Sequence, residues 1–234
     1  MNVLNRPAIK FDARNFISID RRWLAIFWAG VLPFIVDISN NFVQFQLKNE
    51  TENYTEIYYV NPFLFNLVWI LPLFSLFIYP IKVSVKGYFL NCLRKNEFQA
   101  GYVYSTASNN YIRFFVTEII RNIFIALWSM LFVIPGIIKS FSYSMTSYII
   151  CDNPTLSSTE AINLSTRITY GFKKDIFFMY LSFIPWYILV SMTLSIGSIY
   201  VIPYAGITEA MFYENLKKHA IETGVASPTE FAIY

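Results

Sequence analysis

Apolar residues occur in long stretches along this chain, and most charged residues fall in the segments between them. A helix that crosses a bilayer needs about 20 mostly apolar residues. The stretches that approach or meet this length are residues 23–44, 62–81, 114–134, 137–151, 176–197 and 199–216. The pattern predicts an all-α membrane protein, a six-helix transmembrane bundle that forms a single domain over residues 23–217.

The third and fourth stretches are separated only by Pro135-Gly136, a pair that favours a turn or a sharp kink. Residues 114–151 can therefore be interpreted either as a hairpin of two short helices or as one bent helix. One helix of this length would measure about 57 Å, nearly twice the hydrocarbon core of about 30 Å. We therefore expect the hairpin.

Lysine and arginine are concentrated in alternate connections, which predicts the orientation of the bundle. The basic connections are residues 1–22, 82–113, 152–174 and the end of the chain from Lys217 onwards. The 45–61 connection has one lysine and three glutamates. Six crossings then place the N-terminal segment 1–22 and the C-terminal tail 218–234 in the cytoplasm.

The composition agrees with a chain that has lipid as its solvent. Hydrophobic residues make up 56% of the sequence and charged residues 14%, whereas a soluble domain has about 25% charged residues. The net charge of +3 is too small to indicate a nucleic-acid partner. One histidine and two cysteines do not form a recognisable metal-binding pattern, so no cofactor is predicted.

The segment after the fourth stretch carries the signature of an amphipathic helix. Ser157 and Glu160 have the spacing of a capping box. The apolar residues that follow recur on one helical stripe, which consists of Ala161, Leu164, Ile168 and Phe172. We expect a helix over residues 157–172 that lies in the cytoplasmic membrane interface.

The second half of the chain contains ordered sequence blocks that together resemble a known family. The blocks are Ile134-Pro135-Gly136-Ile137-Ile138-Lys139, Tyr143-Ser144-Met145, Cys151-Asp152-Asn153-Pro154, Glu160-Ala161-Ile162, Gly171-x-Lys173, Pro203-Tyr204 and Thr208-x-Ala210-x-Phe212-Tyr213. They resemble the domain of unknown function 975 family of bacterial integral membrane proteins. That resemblance implies the architecture and a cell-membrane location, but no mechanism, because the activity of the family is unknown. More distantly, the chain is similar to membrane domains of glycerophosphodiester phosphodiesterases, which hints at a lipid-related role.

Ionisable residues within membrane helices are costly, and they are therefore candidates for a functional site. Arg121 and Glu209 lie at comparable depths in the third and sixth stretches, so an ion pair between them is one prediction. Glu118, three residues before Arg121, is the competing partner within the same helix. The pair either fixes helix register or forms a polar site that faces a cavity.

In the first stretch, Asp37 shares a helix face with Asn41 and Gln44. These residues either line the mouth of an outward-facing cavity or meet water because the helix ends early.

The sequence contains no phosphate-binding loop, no HExxH and no GxSxG nucleophile motif, and its loops are short. We therefore expect no enzyme activity, and a protein that binds membrane partners or lipid, or stabilises the envelope. The alternative is a small transporter, or a transporter subunit, for an amphipathic or lipid-like substrate. A lipid-modifying enzyme ranks last because paired acid and base residues are missing.

Overall fold

The computed structural model describes residues 4–19, 22–28, 79–193 and 196–231. These residues form helices joined by turns and short connections, with no strand among them, so the all-α prediction is confirmed for this part of the chain. The helices are α1 (Arg6–Ser18), α2 (Tyr79–Lys95), α3 (Gly101–Asn109), α4 (Tyr111–Leu131), α5 (Val133–Ser142), α6 (Thr146–Asp152), α7 (Ser158–Ile168), α8 (Lys173–Leu181), α9 (Ile184–Met192) and α10 (Ser198–Glu222). Residues 22–28 are also helical, and a 3-10 turn covers Pro228–Phe231.

Two helical segments among the described residues are long and apolar enough to cross a membrane. They are α4 and the nearly continuous α8–α9 segment Lys173–Met192, which correspond to the predicted spans 114–134 and 176–197. Of the spans predicted at 23–44 and 62–81, only residues 23–28 and 79–81 are described. The complete six-helix bundle stays a prediction.

The hairpin over residues 114–151 is present, but its turn lies earlier than the sequence predicted. Phe132 is extended, with φ −156° and ψ 142°, and it separates α4 from α5, which folds back along α4. Pro135 and Gly136, predicted as the break, lie inside the first turn of α5, where a proline interrupts no helical hydrogen bond. A Cβ at Gly136 would lie 2.8 Å from the Cα of Ser129. Glycine therefore allows the two helices to approach.

Other predicted boundaries also need correction. The stretch 137–151 is not one helix, because residues 143–145 form a turn between α5 and α6. The 82–113 connection contains the rest of α2 and all of α3. α10 continues past the predicted end at residue 216 to Glu222, so the first part of the predicted tail is helical.

α4 has a polar inner face and an apolar outer face. Its buried residues are Phe114, Thr117 and Glu118. Its outer face includes Ile123 and Met130, which are 50% and 88% exposed. A helix on the surface of a soluble protein has the opposite arrangement.

α7 begins as the sequence predicted, with a capping box between Ser157 and Glu160. Its apolar stripe packs against neighbouring helices instead of facing outwards, since Ala161, Leu164 and Ile168 are at most 3% exposed. The helix ends at Ile168, and Gly171 adopts a positive φ of 86° in the turn that follows, short of the predicted end at residue 172.

Candidate functional site

Arg121 and Glu209, the two ionisable residues singled out in the sequence, do not pair with each other in the structure. Arg121 forms an ion pair with Glu118, one turn earlier on α4, at 2.5 Å. Ser147 on α6 joins this pair, because its hydroxyl donates to Glu118 Oε1 at 2.7 Å and accepts from Arg121 Nη1 at 3.0 Å. The structure thus contains the competing pair within one helix, anchored to a second helix.

Glu209 on α10 pairs with Lys86 on α2. The Lys86 ammonium donates to Glu209 Oε1 at 2.9 Å, and the Tyr180 hydroxyl on α8 donates to the same oxygen at 2.6 Å. Lys86 is not among the predicted site residues, because the sequence pattern assigns it to the 82–113 connection. The continuation of the apolar pattern past Ile81, in Val83 and Val85, is the signal that α2 extends far enough to bury it.

The two ion pairs belong to one set of buried and half-buried side chains, the central polar cluster, which comes from α2, α4, α6, α8 and α10. Its members are Lys86, Glu118, Arg121, Ser147, Tyr148, Tyr180 and Glu209. Tyr148 lies between the two pairs, since its ring faces the Lys86 ammonium at 4.9 Å and its backbone directly follows Ser147. The polar residues on the inner face of α4 therefore bind Ser147 on α6, and Tyr148 connects α6 to the pair that joins α2 and α10.

The charges of the central polar cluster balance, with two cations and two carboxylates. Glu118 and Glu209 have side chains that are 4% and 15% exposed, and their partners Arg121 and Lys86 are 19% and 26% exposed. A charge in a low-dielectric interior is tolerated only when it is paired and hydrogen-bonded. Three buried polar atoms nevertheless have no hydrogen-bond partner among the described residues: Arg121 Nε, Thr146 Oγ1 and the Tyr148 hydroxyl.

A second polar network lies at one end of the bundle, around Asp152 at the end of α6. Arg94 from α2 contacts both carboxylate oxygens, and Lys217 and Tyr213 from α10 donate to Oδ2 at 2.5 and 2.9 Å. Burial alone would raise the pKa of Asp152, but hydrogen bonds and charge from Arg94 and Lys217 outweigh it and hold the pKa below its ordinary value. This network joins the ends of three helices.

The predicted tail does not extend freely from this end. Residues 225–231 fold back onto it, and we call this stretch the C-terminal strap. Arg167 on α7 binds the carboxylate of Glu230 at 2.6 Å, and the amide of Asn153 donates to the Glu230 carbonyl at 3.1 Å. Phe231 is buried, with its ring 5.0 Å from the Lys217 ammonium.

Two grooves lie on the described surface near the same end. One, of about 330 Å³, lies between the ends of α7 and α10 and is lined by Ile168, Tyr170, Phe172, His219 and Val225 among others. The other, of about 870 Å³, lies where α3, α4 and the start of α7 meet. Neither groove is lined by Arg121 or Glu209.

Asp37 and its predicted companions Asn41 and Gln44 lie outside the described residues. Among those that are described, no group of three or more His, Cys, Asp or Glu residues could hold a metal ion.

Comparison with known proteins identifies one family segment. The model of the family described as "Protein of unknown function (DUF975)" matches residues 130–220, so the predicted resemblance to that family is confirmed for this segment. No curated protein and no solved structure matches the chain. The resemblance to glycerophosphodiester phosphodiesterase membrane domains stays a prediction. The family segment contributes Ser147, Tyr148, Tyr180 and Glu209 to the central polar cluster, whereas Lys86 and α4 up to Ser129 precede it.

Proposed function

We propose that this chain, which carries the DUF975 segment over residues 130–220, is a multi-pass cell-membrane protein that binds a membrane partner and performs no catalysis. The observation that supports this proposal best is the pairing inside the central polar cluster. Each of its four charged side chains has an opposite charge within 3 Å. Such pairs hold helices in register, and they leave no free acid, base or nucleophile for chemistry.

The outer surface of α4, α5, α8 and α9 supports the membrane part of the proposal. Only 17% and 22% of the most apolar parts of Tyr111–Leu131 and Lys173–Met192 are buried, whereas a core helix of a soluble domain is mostly buried. The exposed residues form a continuous run at the α4–α5 turn, Met130 to Ile134, each at least 62% exposed. An apolar surface of this kind requires lipid or protein to cover it.

The end of the bundle that carries the Asp152 network is the end we assign to the cytoplasm. Basic residues from three connections lie there: Arg94 and Lys217 bind Asp152 at the end of α6, and Arg167 on α7 binds Glu230 in the C-terminal strap. These residues belong to separate connections that the distribution of lysine and arginine places on the inner side. Their position at one end of the fold supports that common side.

The groove between α7 and α10 is the partner surface that we favour. Tyr170 and Val225 on its rim are 79% and 41% exposed, and Phe172 and His219 form its wall with rings 5.2 Å apart. Aromatic residues that are exposed beside a concave surface are typical anchors of protein interfaces.

Site-specific photocrosslinking in native membranes tests the proposal. A photoreactive amino acid at position 170 should give a discrete crosslinked product, and the same amino acid at position 95, an exposed residue at the end of α2, should not. Products that are absent at position 170, or equal at both positions, would contradict partner binding at this groove.

A small transporter for an amphipathic or lipid-like substrate is the second candidate. Two buried polar atoms of the central polar cluster, Arg121 Nε and the Tyr148 hydroxyl, have no hydrogen-bond partner among the described residues. They favour this candidate, because a polar substrate that passed the cluster would meet them. Lipid translocation by the purified protein in vesicles, measured against Tyr148→Phe, separates the candidates. Transport that depends on the Tyr148 hydroxyl would replace the partner-binding proposal.

A further inference from the structure

We propose that the flank of α1 formed by Arg6, Lys10 and Arg14 binds the phosphate headgroup of an anionic phospholipid. This inference rests on the membrane location proposed above.

The three cations share one side of the helix because they are spaced four residues apart. The rotation of α1 is fixed by Ile9, Ala13 and Ile17, which are buried, and the helix packs against α10. Asp12 lies on the opposite flank of the helix and does not offset the cations. The result is a row of positive charge along the edge of α1, which lies against α8 and against Phe183 at the α8–α9 junction.

Two of the three cations, Lys10 and Arg14, have no carboxylate partner among the described residues. Arg6 reaches Asp175 only at 3.6 Å, with its own side chain 40% exposed. The Lys10 ammonium lies 4.2 Å from the ring centre of Phe183, and burial lowers its pKa. Lys10 has thus lost water without gaining an anion, so an added anion would be stabilised there.

Exposed apolar residues lie beside the same cations. The Arg6 guanidinium lies 5.0 Å from the ring centre of Phe178, which is 46% exposed. Leu181 and Ile184 continue this apolar surface at 42% and 48% exposed. A headgroup on the cations would place its acyl chains against these residues, and this arrangement favours a phospholipid over a free phosphate or an acidic peptide.

The test measures phosphatidylglycerol binding to the full chain in phosphatidylcholine nanodiscs. The variant replaces Lys10→Gln and Arg14→Gln together, and the matched control replaces Lys95→Gln and Lys218→Gln, two exposed lysines that change the charge equally. A basic residue near anionic lipid contributes about fivefold in affinity, so we expect a loss of about 25-fold in the variant and less than about twofold in the control.

Equal phosphatidylglycerol binding by wild type and variant, or an equal loss in variant and control, would overturn the proposal. If the glutamine variant does not fold, Lys10→Arg keeps the charge and must keep the binding. Displacement of the lipid by soluble glycerol phosphate at millimolar concentration would show a phosphate site that does not need acyl chains, and would overturn the lipid assignment. A chain that does not enter nanodiscs at all would instead refute the membrane location.

Discussion

At the scale of single residues, the sequence indicates which polar groups are buried but not which of them pair. Glu118, Arg121 and Glu209 were recognisable because they interrupt apolar stretches. Their partners depend on how five helices pack, and local spacing reveals only the Glu118–Arg121 pair, one turn apart. The Lys86–Glu209 pair joins residues 123 positions apart, so no local pattern predicts it.

A double-mutant cycle checks that pairing. Lys86→Met and Glu209→Gln, singly and together, should give a coupling energy of about 1 kcal/mol or more, because the two groups share a hydrogen bond in a buried place. The cycle of Arg121→Met with Glu209→Gln should give less than half of this value. Unfolding in detergent micelles provides the measurement, and a larger coupling for Arg121 than for Lys86 would contradict the structure.

The ion pairs of Asp152 should contribute to the stability of the fold. Asp152→Asn should reduce the free energy of unfolding by about 3 kcal/mol, because it leaves Arg94 and the buried Lys217 without their carboxylate. Glu222→Gln, which loses only a 3.9 Å contact at an exposed site, should change it by less than about 0.5 kcal/mol.

The pKa of Asp152 is lowered below 3.8 in the folded protein. Its contribution to the free energy of unfolding is therefore present above about pH 4 and disappears as the pH falls through the folded pKa. The free energy of unfolding, measured between pH 2 and 7, should therefore fall more steeply in acid for the wild type than for Asp152→Asn. Parallel pH profiles would refute this role for Asp152.

At the scale of helices, the predicted cap of α7 is present, but the predicted position of the hairpin turn was wrong. The capping box at Ser157 is a contact over three residues, and it is present. The turn after α4 occurs at Phe132 instead of Pro135-Gly136, because proline fits the first turn of a helix as well as it ends one. Gly136 serves the contact between helices, which the sequence alone did not show.

The hairpin can be tested through that glycine. Gly136→Ala should lower the free energy of unfolding by about 1–3 kcal/mol, because the added methyl group meets the backbone of Ser129 and α5 must shift. Gly101→Ala at the start of α3 is the control, because nothing lies within 4 Å of its added Cβ. Equal stability of the two variants in thermal unfolding would contradict the close packing of α4 and α5.

At the scale of the whole molecule, the sequence predicted the helical class and the two clearest apolar segments, α4 and α8–α9. It did not predict that α7 and the C-terminal strap would pack onto the bundle. Both segments are rich in polar residues, and a polar sequence next to a membrane is equally compatible with an interfacial helix or a loose tail. Tertiary contacts such as Arg167–Glu230 decide between these possibilities.

Orientation can be tested with a cysteine in the last helix. Lys218→Cys, at a site where the lysine side chain is 76% exposed, should react with a membrane-impermeant maleimide only after cells are opened. The native Cys92 should stay unlabelled at pH 8 in the folded protein, because burial raises the pKa of its thiol to about 12. Labelling of residue 218 in intact cells would overturn the proposed orientation.

The two charge pairs differ in when they can form during synthesis on the ribosome. Glu118 and Arg121 belong to the same helix, so α4 can enter the bilayer with its charges already neutralised. Lys86 must instead wait until another 123 residues have been made before Glu209 reaches it. Until then the insertion machinery, or lipid headgroups, must shield that ammonium, and a chain truncated before α10 should be a substrate for membrane quality-control proteases.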